Sequence, residues 1–175
     1  NKEAYEVVKL LTQHFPISSQ RLGKIFRLAV YTRNFTDVEK YFDIFQNLDF
    51  VSDELRKIVQ AALFICAKFL LHGNRVDEAL EVIDKAVITS KLDEHFLYKS
   101  IYLLLDNRLY EPAEKLLSRY PSDKRTNKEY QQLLFLVLFG TGHEQNACEL
   151  GKVLVTQNRA TAEIYKIYAE LLLKQ

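Results

Sequence analysis

The amino-acid sequence predicts an all-α fold: about ten antiparallel helices stacked in pairs as a solenoid. Three observations carry that prediction. Apolar residues recur at helical spacing, as in Val38, Tyr41, Phe42 and Phe45, and no stretch alternates long enough to make a strand. Turn signals such as Arg33-Asn34-Phe35, His72-Gly73-Asn74 and Gly140-Thr141-Gly142 punctuate the chain. Third, one unit of turn plus helix recurs. Ala79, Ala113 and Ala147 lie 34 and 34 residues apart; a step of 41 back from Ala79 reaches Val38, and 34 more reaches Ala4. Five second helices therefore share one register, with a single seven-residue insertion.

Each element has its own local reason. Residues 2–14 form the first helix, ended by Phe15-Pro16, because proline restricts the residue before it and cannot extend a helix. Ser18 or Ser19 caps the second, which runs to about Thr32. Thr36, with Glu39 three residues on, reads as a capping box for the third. Ser52 caps a long fourth helix, with Asp53 and Glu54 in the turn where the helix dipole favours acids, and Gly73 is its expected left-handed stop. The fifth helix runs from about Arg75 to Thr89. Asp93 caps the sixth. Pro112 sits in the first turn of the seventh, which ends near Tyr120-Pro121. Asn127 caps the eighth, Gly140-Thr141-Gly142 turns into the ninth, and Thr161 caps the tenth. The expected helix pairs are 18–46, 52–90, 93–120 and 127–157, flanked by single helices at 2–14 and 161–175, all in one domain.

A 34-residue period with paired helices resembles the tetratricopeptide family. The matching positions are Ala4/Val8/Leu11/Pro16, Val38/Phe42/Phe45, Ala79/Ile83/Ala86, Ala113/Leu117/Tyr120 and Ala147/Gly151/Leu154. The chain departs from the pattern in having no Trp, in not keeping the first-helix Leu-Gly pair from repeat to repeat, and in placing Val38 where a small Ala belongs. The resemblance implies a superhelix whose first helices line a concave groove and whose second helices form the outside. Transferred to this sequence, the register puts Arg27, Tyr31, Leu63, Leu70, Leu97, Ile101, Leu104, Leu136 and Phe139 on that groove, beside Gln20, Gly23, Val30 and Gln132. The stretches 61–67 and 133–139 are apolar on every face, and such helices require burial on every face, by the array curling on itself, by a partner segment or by self-association.

The totals narrow the function. With 24 basic against 23 acidic residues, the chain has no excess of positive charge, which argues against a general nucleic-acid binder. Arg21, Lys24 and Arg27, three apart, read as a solvated helix face. The longest apolar runs are far short of a membrane span, and no charged start precedes a short apolar core as in a signal peptide. Cys66 and Cys148 read as buried thiols in a reducing, cytoplasmic setting. His14, His72, His95 and His143 are scattered, with no i, i+4 pair, no HExxH and no CxxC, and Gly140-Thr141-Gly142 lacks the phosphate-loop continuation. The reading is therefore no catalytic residue, no metal and no cofactor. Tyr98, Tyr102, Tyr110, Tyr120 and Tyr130 read as packing spacers, and Tyr31 as a partner contact.

The first expectation is thus a non-enzymatic scaffold or adaptor that binds a protein or peptide segment in its apolar concave face. The second is a regulatory or dimerisation domain of a larger bacterial signalling protein, because Phe15-Pro16-Ile17-Ser18-Ser19-Gln20-Arg21, Leu28-Ala29 and Asn34-Phe35 faintly resemble the helical-repeat tails of response regulators. An RNA-binding helical repeat comes third. Met is absent and the register opens on a second helix, so the natural chain is expected to extend further on its N-terminal side.

Overall fold

A computed structural model describes residues 2–14 and 17–174, with the Gln13 side chain left aside. The expected stop at Phe15-Pro16 lies outside the described residues. Among the described residues there are ten α-helices, one short 3₁₀ turn, Ser122–Lys124, and no strand. The fold is all-α, as the spacing predicts. The chain divides into two compact units, Asn1–Lys91 and Leu92–Gln175.

The first unit holds α1 (Lys2–His14), α2 (Ser19–Tyr31), α3 (Phe35–Gln46), α4 (Asp53–His72) and α5 (Val76–Thr89). Here α2 packs against α1, α3 and α4, and α4 packs against α3 and α5. The second unit holds α6 (Glu94–Asp106), α7 (Tyr110–Leu117), α8 (Lys128–Gly140), α9 (Glu144–Thr156) and α10 (Ala162–Leu173). Its α8 touches α6, α7, α9 and α10, and α10 also packs on α9. Within each unit, then, helices pair as hairpins and successive first helices lie side by side.

The hairpin turns repeat in their backbone geometry. Arg33, Asn74, Arg108 and Gly142 all take positive φ, at 58°, 58°, 58° and 82°. The next amide in each turn reaches back to the last helical turn: Asn34 to Ala29 at 2.8 Å, Arg75 to Leu70, Leu109 to Leu104 and His143 to Leu138 at 2.9 Å. This is the Schellman closure, which satisfies carbonyls that a helix end leaves open. The four left-handed residues each precede Val38, Ala79, Ala113 and Ala147 by five, so the sequence register is also a register of turns. One detail differs from expectation. Gly73 has φ −84°, and the left-handed position falls to Asn74, whose short polar side chain tolerates it.

The register positions form the core. Val38, Ala79, Ala113 and Ala147 are fully buried, with Phe42, Ile83, Leu117 and Leu154 beneath them. The register fails in α1, where Ala4 is exposed and Tyr5 turns inward. The cause is Asp37. Its Oδ2 accepts hydrogen bonds from the Tyr5 hydroxyl, from Lys9 Nζ at 2.9 Å and from Asn34 Nδ2 at 2.9 Å. Burial pushes the Asp37 carboxyl up, but the bonds from Tyr5 and Lys9 outweigh it and hold the group below its ordinary value.

Several caps match the sequence: Ser18, Ser52, Asp93 and Thr161 each accept an amide in the first turn. Two do not. α3 begins at Phe35 and is capped by Asn34, not Thr36, because Asn34 leaves the preceding turn already placed to accept from the Asp37 amide. Asn127 precedes α8 but gives its side chain to Glu94 Oε1 at 2.9 Å. α7 is also shorter than expected, ending at Leu117.

Candidate partner-binding face

In the first unit, α2 and α4 together present an apolar strip to solvent. α2 is amphipathic and turns Leu22, Ile25, Phe26 and Ala29 into the core. Gly23 lets α4 come close: a Cβ there would stand 3.3 Å from Ile58 Cδ1 and 3.6 Å from Leu55 Cδ1. α4 buries Leu55, Val59, Leu63, Cys66, Ala67 and Leu70. What it leaves outside is apolar too, with Ile58 half-buried and Ala61, Ile65 and Phe69 exposed. Phe26, Val30, Ile58, Ala61 and Ile65 line a groove of about 440 Å³ between the two helices. It continues past Arg27 and Glu54 into a more polar cleft of about 380 Å³ at the N-terminal ends of the helices, beside Ser19, Lys24 and Ser52.

Aromatic groups close the other end. Tyr31 is 69% exposed, one helical turn beyond Arg27. The Phe69 ring lies 4.9 Å from that of Phe35 and 5.2 Å from the Arg33 guanidinium. The Arg27–Glu54 pair, at 3.4 Å with both side chains mostly in water, contributes little to stability.

The residues named from the sequence divide sharply. Arg27 and Tyr31 are exposed and share the α2 face with Val30. Leu63, Leu97 and Ile101 are fully buried, Leu104 is 1% exposed, and Leu70 and Leu136 are buried as well. These six hold helices together and offer no surface to a partner; the reading that they line an open groove is corrected accordingly. Gln132 is buried with its amide nitrogen 2.5 Å from the Arg159 carbonyl, so it fixes the turn before α10. Phe139 is half-buried and borders a separate cleft of about 280 Å³ in the second unit, with Tyr102, Asp106, Arg108 and Glu163.

The other tyrosines mostly pack. Tyr110 lies on Gly140, where a Cβ would come within 2.0 Å of its ring, and Tyr120 sits 5.4 Å from Tyr130. Tyr98 and Tyr102 stack at 6.0 Å, and Tyr102 donates to Glu163 at 3.1 Å. Burial and the carboxylates of Glu163 and Asp106 push the Tyr102 hydroxyl up to about 12.

Ile58, Ala61, Ile65 and Phe69 were missed from the sequence. The register pointed to Leu63, Ala67 and Leu70 on α4 because 61–67 is apolar all round and periodicity cannot choose its outer stripe. Lys57 and Lys68, exposed on the helix, were the only signal: charges on a helix mark the face that stays wet.

Burial pushes the Cys66 thiol up to about 12, which keeps it protonated, and Cys148 is also buried and free. No cluster of three metal-ligating side chains exists among the described residues, nor any helix long and apolar enough to cross a membrane. No protein-family model, curated protein or solved structure matches this chain.

Proposed function

We propose that the chain is a non-enzymatic interaction module of tetratricopeptide-like helix pairs, and that it captures a partner segment on the α2/α4 face of its first unit. The observation that carries the reading is the exposed apolar strip itself: Ile65 and Phe69 are each 43% exposed beside a groove lined by Val30, Ile58 and Ala61. Scattered apolar residues are ordinary on a protein surface, whereas a contiguous strip edged by charge marks an interaction site.

The test is capture of partners from source-cell lysate by three immobilised forms: wild type, Ile65→Glu, and Ile88→Glu as a control on α5, where Ile88 is 62% exposed. Circular dichroism checks that all three are equally helical. The expected result is one or more partners held by wild type and Ile88→Glu and lost from Ile65→Glu. Partners held equally by all three place the function elsewhere on the chain.

A further inference from the structure

The occupant of the α2/α4 face has a recognisable chemistry. The floor is apolar and the edges are basic. Lys24 and Arg27 stand on the α2 edge and Lys57 on the α4 edge; Glu54 is the one acid among the residues that line the groove and its adjoining cleft. Three cations against one anion leave an excess of two positive charges around an apolar strip. Glu54 is already matched by Arg27. Lys24 and Lys57 form no ion pair among the described residues, and both are exposed, as is Lys68 further along α4. Complementarity therefore calls for carboxylates flanking an apolar stripe.

Backbone chemistry selects the conformation. Every lining residue from Gly23 to Val30 and from Leu55 to Ile65 is inside a helix, with its amide and carbonyl committed to that helix. An extended segment laid here finds no ladder to join and leaves its own polar backbone unmatched. A helix carries its hydrogen bonds internally and packs its ridges between those of α2 and α4. From Glu54 to Ile65 the groove runs for twelve residues of α4, about 16 Å at a rise of about 1.5 Å per residue, or about three helical turns. Nucleic acid fits less well. Bases seek flat aromatic faces, but the one ring that lines the groove, Phe26, is fully buried, and Phe69 is already flanked by Phe35 and Arg33.

We infer that the α2/α4 face takes an acidic amphipathic helix of a partner protein, about three turns long, its apolar stripe on Val30, Ile58, Ala61 and Ile65 and its carboxylates toward Lys24 and Lys57. This inference rests on the proposed interaction role and specifies its partner.

The probe is a yeast-displayed library of 18-residue helices with a fixed Leu stripe at i, i+3, i+4 and i+7 and randomised flanks. It is selected on the whole chain and counter-selected on Ile65→Glu. Enriched helices are then measured in solution by fluorescence anisotropy. The expected winners carry Asp and Glu on both flanks, bind at least tenfold more weakly when those acids become Lys, and lose that preference on Lys24→Glu/Lys57→Glu. Winners with neutral or basic flanks that still require Ile65 overturn the acidic partner and leave the interaction face standing. Failure of any helix to enrich for wild type over Ile65→Glu overturns both. Steeply salt-dependent binding of oligouridylate at this face, or dimers in sedimentation that Ile65→Glu dissolves, assigns the face to RNA or to a second copy and overturns the inference. The second copy has a concrete route, since α1 exposes Val7, Leu10 and Leu11 beside Glu3 and Glu6.

Discussion

Replacing Asp37 by Ala removes the acceptor on which Tyr5 and Lys9 of α1 converge at α3. Three donors converge on its Oδ2, but they do not suffer equally. Lys9 keeps 28% of its side chain in solvent and Asn34 is half-buried, so both regain water. Tyr5 is 2% exposed, and its hydroxyl is left unmatched in the interior. A hydrogen bond to a charged group contributes about 1.5–3 kcal/mol, and an orphaned buried hydroxyl costs about 1–3 kcal/mol. Asp37→Ala should therefore cost about 3 kcal/mol, and Tyr5→Phe about 1.5 kcal/mol, since Asp37 then keeps Lys9 and Asn34. The double variant should cost about as much as Asp37→Ala alone, because the orphaned hydroxyl is gone; the coupling is then about 1–2 kcal/mol. Urea unfolding followed by circular dichroism measures all four forms. Additivity of the two single changes to within about 0.3 kcal/mol would refute the convergent network.

The pH dependence of the same variants carries a sign. The folded Asp37 carboxyl lies below its ordinary value of 3.8, so its stabilisation is fully present above that value. The advantage of wild type over Asp37→Ala should shrink as pH falls through the low-pH range. Tyr5 behaves oppositely. Burial and the neighbouring Asp37 raise its hydroxyl above the ordinary 10.0, so the advantage of wild type over Tyr5→Phe should hold below that value and fade above it.

Three further outcomes follow from the geometry. Arg108→Gly, at φ 58°, should stabilise the chain by about 0.5–1 kcal/mol in thermal or urea unfolding, and Gly142→Val, at φ 82°, should destabilise it by about 1–2 kcal/mol. Gly140→Ala should destabilise by about 1–3 kcal/mol through overpacking against Tyr110, and a Tyr110→Ala background should remove most of that cost by the same measurement. Leu104→Glu, which buries a charge at a site 1% exposed, should abolish cooperative unfolding, while Ile65→Glu should change stability by less than about 0.5 kcal/mol.

The hairpin architecture was legible because small residues and turns obey one register. The positions that the spacing singled out, Ala79, Ala113 and Ala147, are the fully buried contacts, each five residues after a left-handed turn residue. The outer face of α2 was legible for a similar reason: its polar and apolar residues alternate with the helical period, so Arg27 and Tyr31 fell on the exposed side. α4 was not legible. Leu63 and Ile65 are equally apolar in sequence, yet one is fully buried and the other 43% exposed, and only the packing of α2, α3 and α5 around the helix decides between them. The role of Tyr5 was hidden too, because its partner Asp37 is 32 residues away and a lone acid in a first helical turn reads as ordinary dipole matching.

The most direct test of the α2/α4 face is site-specific photocross-linking in the source cell. A photoreactive residue replaces Tyr31, 69% exposed at the end of the strip, or Ile88, 62% exposed on α5, in otherwise unchanged protein. The account predicts a discrete partner adduct from position 31 and none from position 88. An adduct from position 88 alone, or equal adducts from both, would contradict it.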